Sequence, residues 1–378
     1  MKRSYKFRLY PNERQKQLLN LTLQCLQKLY NAALEQRRHA WRCHRKNVSC
    51  YDQIKQLPEL RRALPEYGAI YSQVLRDPLQ RLDKAFQLFF RRAKRKDGKA
   101  GYPRFKSRDR YDSFTYPQAY NGCFQLKNGK VWLSKIGAIR FRKHREIEGD
   151  VKTVTVKREE NHWYIIISCD NVPAKPLPPS DKAVGVDVGL KRFATLSDGT
   201  VAENPRHLKK SQKRLKRAQQ VLARKRRRSA ARRKAKQKVA RIHRKIRNQR
   251  KDFLHKLSRR LVNEYGTIVV EKLNIRGLLR LKNGKYRAQD KGIHRGITDA
   301  AWGMFVAFLR AKAEEAGRTV IEVDPAGTSR TCCECGYELP ESLPLSQRIF
   351  RCPRCNLQLD RDLNAARNIL RLGTSRAG

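Results

Sequence analysis

Two cysteine pairs, Cys332-x2-Cys335 and Cys352-x2-Cys355, stand sixteen residues apart in a 378-residue chain. Each pair can turn two thiolates toward one ion, and two pairs complete a tetrahedral shell with no open position. The spacing predicts a structural zinc site, a ribbon folded by its metal that performs no chemistry. Gly336 and Pro353 suit the tight turns of such a ribbon. Cys333 is a competing thiol, but Cys332 keeps the x2 spacing and is the expected ligand. The other six of the ten cysteines are scattered, which argues for a reducing cytoplasm and against a disulfide framework.

With zinc satisfied by sulfur, the acids that follow in DRDLNAARNIL, Asp360 and Asp362, are free for other work. Two more carboxylates sit where charge is costly: Asp187 within VGVDVGL and Glu271 at the end of TIVVEKL, both apolar strand patterns. Each acid has a plain reading alone: a turn residue for Asp187, a salt-bridge partner for Glu271, a helix cap for Asp362. Brought together from two strands and a helix start they would repel one another. The remedy is a pair of oxygen-seeking divalent cations, magnesium or manganese, able to activate water against a phosphodiester. Asp360 is expected to support the site from outside it.

The charge names the partner class. Lys and Arg number 87 against 34 Asp and Glu, a net charge of +53, which calls for a polyanion. No apolar run approaches the roughly 18 residues of a spanning helix, and the opening MKRSYKFRLYPN reads as a strand and not as an export signal. From Arg206 to Lys251 there are 23 Lys and Arg and no acid. Arg226, Arg227, Arg228, Arg232, Arg233 and Lys234 are the candidate phosphate contacts there. Tyr102, Arg104, Phe105 and Lys106, in a stretch where aromatics and cations alternate, are candidates for stacking on bases.

Along the chain, a first strand gives way at Pro11-Asn12 to a helix with Gln15 placed for a capping box. Mostly helical sequence continues to about residue 110. Strand patterns follow, with a hairpin turning at REENH, until the proline-rich VPAKPLPPSD reads as a linker. Beyond it strands and helices alternate, an α/β pattern. Asn204-Pro205 reads as a helix start and Asp299 as the cap of a later helix, after a loop from Gly277 to Gly296. One straight helix through the basic run would be roughly 90 Å long, so a bend or hairpin near Arg228 to Arg232 is expected.

The succession GVDVGL, VVEKLN, TSRTCCECG, RCPRC and DRDLNAARNIL resembles the TnpB (OrfB) family of bacterial insertion sequences, relatives of type V CRISPR effector nucleases. YKFRLYPN and GYPRFKS match as well, so the resemblance covers nearly the whole chain. It implies a RuvC-like, RNase H-fold nuclease domain split by the zinc ribbon, with Asp187, Glu271 and Asp362 as its catalytic acids. It also implies a guide RNA from the element's end and cleavage of matching double-stranded DNA. Base pairing would read sequence while the protein supplies charge and shape. The expected division is a β-rich, wedge-like and barrel-like region at 1–10 and 111–180, and a helical recognition lobe at 11–110. The nuclease domain would hold 181–331 and 356–378, with the ribbon at 332–355. A monomeric ribonucleoprotein associated with the nucleoid is the expected form. Two alternatives remain open: a transposase that joins DNA ends with the same acids, and a non-catalytic zinc-ribbon regulator.

Overall fold

The computed structural model describes residues 1–95, 100–118, 122–279, 288–341, 343–344 and 347–375. Two compact units form, Met1–Pro173 and Ala174–Gly378. Among the described residues no helix is long and apolar enough to cross a membrane.

The first unit begins with β1 (Arg3–Tyr10), whose alternation buries Tyr5, Phe7 and Leu9 and turns the residues between them outward. Asn12 and Gln15 then exchange the two hydrogen bonds of a capping box and start α1 (Glu13–His44). Short helices α2 (Cys50–Lys55), α3 (Leu57–Ala63) and α4 (Pro65–Gly68) lead into α5 (Ser72–Lys94). Strands β2 (Ser113–Tyr116), β3 (Phe124–Lys127), β4 (Lys130–Leu133), β5 (Gly137–Phe141), β6 (Asp150–Glu159) and β7 (His162–Asp170) complete the unit. They join β1 in one antiparallel sheet ordered β2-β6-β7-β1-β5-β4-β3, with β2 and β3 at its edges. The first strand thus lies near the middle, paired along its length with β7. One face of this sheet and the apolar stripes of α1 and α5 share a single core, with Leu26, Leu34, Leu75, Leu82, Phe114 and Ile165 fully enclosed.

The second unit opens with a meander, β8 (Ala183–Val188), β9 (Arg192–Leu196) and β10 (Val201–Glu203), turned between its last two strands at Asp198-Gly199. The basic run folds as a helical hairpin, α6 (His207–Arg224) and α7 (Ala230–Glu264), breaking at 225–229, slightly ahead of the expected bend. Leu215 and Ala218 of one helix close against Ile242 and Ile246 of the other. The chain continues through β11 (Thr267–Glu271), α8 (Ile275–Leu278), α9 (Ala288–Ala300), α10 (Trp302–Ala316) and β12 (Thr319–Val323). Last come β13 (Ile349–Arg351), β14 (Gln358–Asp360) and α11 (Arg361–Thr374). The main sheet runs β10-β9-β8-β11-β12, with β8, β11 and β12 parallel and the meander antiparallel.

Three local expectations are corrected. Asn204 does not cap α6; that helix starts two residues beyond Pro205, after a left-handed Arg206 whose amide bonds back to the Asn204 side chain. Asp299 lies inside α9, where it accepts from the Leu208 amide at 2.9 Å and pairs with Arg250 at 2.8 Å. It therefore serves the start of α6, which has no side-chain cap of its own. Of the expected loop at Gly277 to Gly296, residues 288–296 are helical and 280–287 lie outside the described residues.

Both faces of the central strands are covered. Ile268 and Val270 pack toward α7 and α10, while Val269 packs with Val323 and Ile369 beneath α11. The approach of α11 is unusually close: a Cβ on Gly185 would lie 2.1 Å from the Ala366 carbonyl oxygen, and one on Gly373 would lie 2.5 Å from Val269. Gly185→Ala should therefore force helix and strand apart and cost about 1–3 kcal/mol. Chemical denaturation measures it, and an unchanged midpoint would mean the contact is soft.

Candidate active site and metal centre

Strand parity decides which way the acids point. Val184 and Val186 face the α7 and α10 side, so Gly185 and Asp187 face α11. Val269 faces α11, and so does Glu271 two residues on. Parallel register pairs Val186 with Val270, which sets Asp187 and Glu271 side by side at the carboxyl ends of their strands. Asp362 lies in the first turn of α11, where the helix dipole favours an anion. The structure brings these three sequence-predicted acids to one face of one sheet.

Their electrostatics show the cost. Burial, then the charge of Glu271, then that of Asp362 push the Asp187 carboxyl up to about 8, with Arg361 offsetting part of the rise. Burial raises Glu271 as well, against a hydrogen bond donated by Thr328 Oγ1 at 2.7 Å. Arg348 Nη1 lies 3.4 Å from both carboxylate oxygens of Asp362. Acids that raise the Asp187 carboxyl this far are short of compensating positive charge despite Arg361 and Arg348, and their hard oxygen donors suit magnesium or manganese. Both oxygens of Asp360 have other partners. Its Oδ1 caps α11 by accepting from the amides of Asp362 and Leu363, and its Oδ2 takes Arg192 Nη1 at 2.9 Å.

The thiols form a tighter group. Cys332, Cys335, Cys352 and Cys355 place their sulfurs within 4.8 Å of one another, the one such convergence of His, Cys, Asp or Glu ligand atoms among the described residues. The separations of 3.6 Å for Cys332–Cys355 and 3.5 Å for Cys335–Cys352 are near the edge of about 3.8 Å for a tetrahedron with Zn–S of about 2.3 Å. Cys333 is outside the group; its amide donates to Asn364 Oδ1 at 3.0 Å.

That last bond belongs to a clamp the sequence reading missed. Asn364 and Asn368, one turn apart on α11 and both buried, donate to the Thr331 carbonyl at 2.8 and 2.6 Å. Asn368 also donates to the Thr328 carbonyl at 3.0 Å, and Thr328 is the residue that bonds Glu271. Ribbon, last helix and second acid are thus joined by a continuous hydrogen-bonded path. Two Asn at i and i+4 in NAARN were its only sequence signal.

The proposed nucleic-acid contacts divide. Arg226, Arg227, Arg228, Arg233 and Lys234 are exposed around the hairpin turn. Arg232 instead donates from Nη1 to the carbonyls of Leu222 at 2.8 Å and Lys225 at 2.9 Å, closing the end of α6. In the first unit Tyr102 and Phe105 are exposed, Tyr102 against Phe86 and Phe89 and Phe105 under Arg38. Arg104 is exposed, whereas the Lys106 backbone is anchored to Asn31 and Gln27.

Cys332→Ser should lower zinc content and the thermal midpoint together, because the metal's binding energy is folding energy here. Cys333→Ser should alter neither; zinc analysis beside a melting curve separates the two. A second expectation concerns pH. An unfolded Asp ionises near pH 3.9, so between about pH 4 and pH 8 the folded chain keeps a proton on Asp187 that the unfolded chain has lost. Stability from this group therefore falls as pH rises through that window. Without divalent ions at the acids, Asp187→Asn should flatten the decline and melt higher than wild type at pH 8. A variant that tracks the wild-type pH profile would show that Asp187 is not strained.

Several known proteins are similar to this chain. A family described as a probable transposase matches residues 153–282, and a Cas12f1-like TNB domain matches residues 302–369. A family described as a helix-turn-helix domain matches residues 1–46, a span that here forms β1 and the single 32-residue helix α1. A relative from Streptomyces pristinaespiralis named "Putative RNA-guided DNA endonuclease" is 38% identical over 99% of this chain and 90% of its own. InsQ of Escherichia coli K12, which carries the same designation, is 37% identical over 80% of this chain and 74% of its own. The CRISPR-associated endodeoxyribonuclease Cas12f1 of Sulfoacidibacillus thermotolerans is 31% identical over 56% of this chain and 50% of its own. With relatives that cover nearly all of its length, the chain belongs to the TnpB (OrfB) family of insertion-sequence proteins.

Proposed function

We propose that this chain is a transposon-encoded RNA-guided DNA endonuclease that cuts phosphodiester bonds at a RuvC-like site made of Asp187, Glu271 and Asp362. The observation that carries the reading is that Asp187 and Glu271, at the ends of neighbouring strands, and Asp362, in the first turn of α11, lie near enough for the last two to raise the pKa of the first, in a chain of net charge +53. The sheet order supports an RNase H-like fold: an antiparallel meander of three strands, then two strands parallel to the first, with a helix closing over the first and fourth. Within this reading the strands at 1–10 and 111–180 form a wedge-like region and 11–110 the recognition lobe. Residues 181–331 and 356–378 form the nuclease, interrupted by the ribbon at 332–355.

Asp187, Glu271 and Asp362 would hold magnesium or manganese, which when bound supplies the Lewis acidity for hydrolysis. Asp187 has to release its proton to act as a ligand. Thr328 holds one oxygen of Glu271, and the other has no hydrogen-bond partner among the described residues. Arg348 offers a guanidinium beside Asp362 that can pass to a phosphate oxygen. The four cysteines would hold zinc and keep α11, and with it Asp362, in register with the sheet.

The reading is tested with the protein purified from its native locus together with any RNA it carries. A discrete RNA should be present, and DNA matching it should be cut only with magnesium or manganese. Asp187→Ala, Glu271→Ala and Asp362→Ala should each abolish cutting, no double variant should be worse, and nucleic-acid binding should persist. Asp360→Ala should retain appreciable activity at lowered stability. Random bound RNA, or cutting that survives loss of any one of the three acids, would refute the assignment.

A further inference from the structure

The sheet of the first unit buries one face; its other face carries a pattern that no expectation above uses. Register across three strands sets Gln125, Trp132 and Ala138 in one row. The next row in the same register is Lys127, Lys130 and Arg140, and it ends on Tyr10 of β1. Because residues two apart on a strand share a face, both rows stand on the same side. Val131 and Ile139, between them in sequence, and Leu133, next to Trp132, are buried on the opposite side.

Trp132 is 39% exposed and Tyr10 45%. Lys127, Lys130 and Arg140 are exposed, and no ion pair to any of them occurs among the described residues. A hollow of about 400 Å³ opens beside Trp132 where Ala138 leaves space, lined also by Gln125, Lys127, Asn128 and Lys130 and by no acid. Strands lie about 4.8 Å apart, so the three cations make a positive strip roughly 10 Å long beside a flat indole and a carboxamide.

We infer that this sheet face, centred on Trp132, binds an unpaired nucleobase of single-stranded RNA. The base stacks on the indole, Gln125 hydrogen-bonds its edge, and Lys127, Lys130 and Arg140 take the flanking phosphates. Stacking platforms on open sheet faces suit RNA, whose specific recognition targets unstacked bases in loops and ends. The inference rests on the proposed function for the choice of RNA. The displaced strand of a target DNA has unpaired bases only while the target is held open, whereas a guide RNA has segments outside the pairing region throughout.

The test uses the whole chain and an unstructured RNA 12-mer carrying 4-thiouridine, beside the DNA 12-mer of the same sequence. Photocrosslinking should map to the peptide containing Trp132. Trp132→Ala should weaken RNA binding about tenfold, within the range for loss of one stacked base, with the salt slope unchanged. Trp132→Phe should restore most of the affinity. Lys127→Ala and Lys130→Ala should each reduce the salt slope by about 0.7, and Gln125→Ala should alter the preference among homopolymers. All these side chains are exposed, so melting midpoints should stay at the wild-type value. Wild-type binding by Trp132→Ala with crosslinks elsewhere overturns the inference, and so does equal use of the site by DNA. Neither result touches cleavage by the acids. Conversely, a Trp132-dependent crosslink in a chain that cuts no DNA would leave this site standing and remove the nuclease reading.

Discussion

Everything at the candidate site depends on how closely α11 lies against β8. At Gly185 the helix backbone comes so near that no side chain fits between, and Ala365, Ala366 and Gly373 keep the helix side equally small. Small residues on both surfaces exchange side-chain packing for proximity of backbones. The gain is positional. A helix seated that tightly cannot slide by a turn without a clash, so the carboxylate in its first turn is held opposite carboxylates on two strands. Burial and the charges of Glu271 and Asp362 raise the Asp187 carboxyl, a penalty that the packing of α11 has to outweigh.

A second restraint reaches the same acids from the ribbon. Through Thr331, the two buried asparagines of α11 tie the first cysteine turn to the helix, and Thr328 continues the path to Glu271. Buried amides with several partners specify a unique arrangement more strongly than apolar contacts of the same size. A group of four thiols that takes no part in the proposed chemistry can thus govern the geometry of two catalytic candidates.

Much of this was legible in the sequence where the signal is local. The Asn12–Gln15 capping box, the Asp198-Gly199 turn and the spacing of the cysteine pairs each depend on residues within a few positions of one another. Asp187 and Glu271 were visible because an ionisable group inside an apolar strand contradicts its surroundings. What escaped was long-range. Thr328 and Glu271 are 57 residues apart, and Thr328 has no unusual local context. Asp299 reads as a cap in sequence and is one in space, but for a helix whose second residue lies 91 residues before it. Arg232 looked like a neighbour of Arg233, yet its guanidinium is committed to closing α6. The mid-sheet position of β1 needs strands more than 130 residues downstream and has no local signature.

The helical hairpin carries a further consequence. Its two helices are joined by small apolar contacts, Leu215 and Ala218 against Ile242 and Ile246, while cations crowd their outer surfaces with no acid from Arg206 to Lys251. A partner that binds only the folded form adds its binding energy to stability, and a polyanion relieves the repulsion as well. The durability of the polypeptide is then a property of the complex. Copies made in excess of their nucleic acid would be the ones that open first and fall to proteases, so supply of the nucleic acid would set the standing amount of protein without any dedicated regulator.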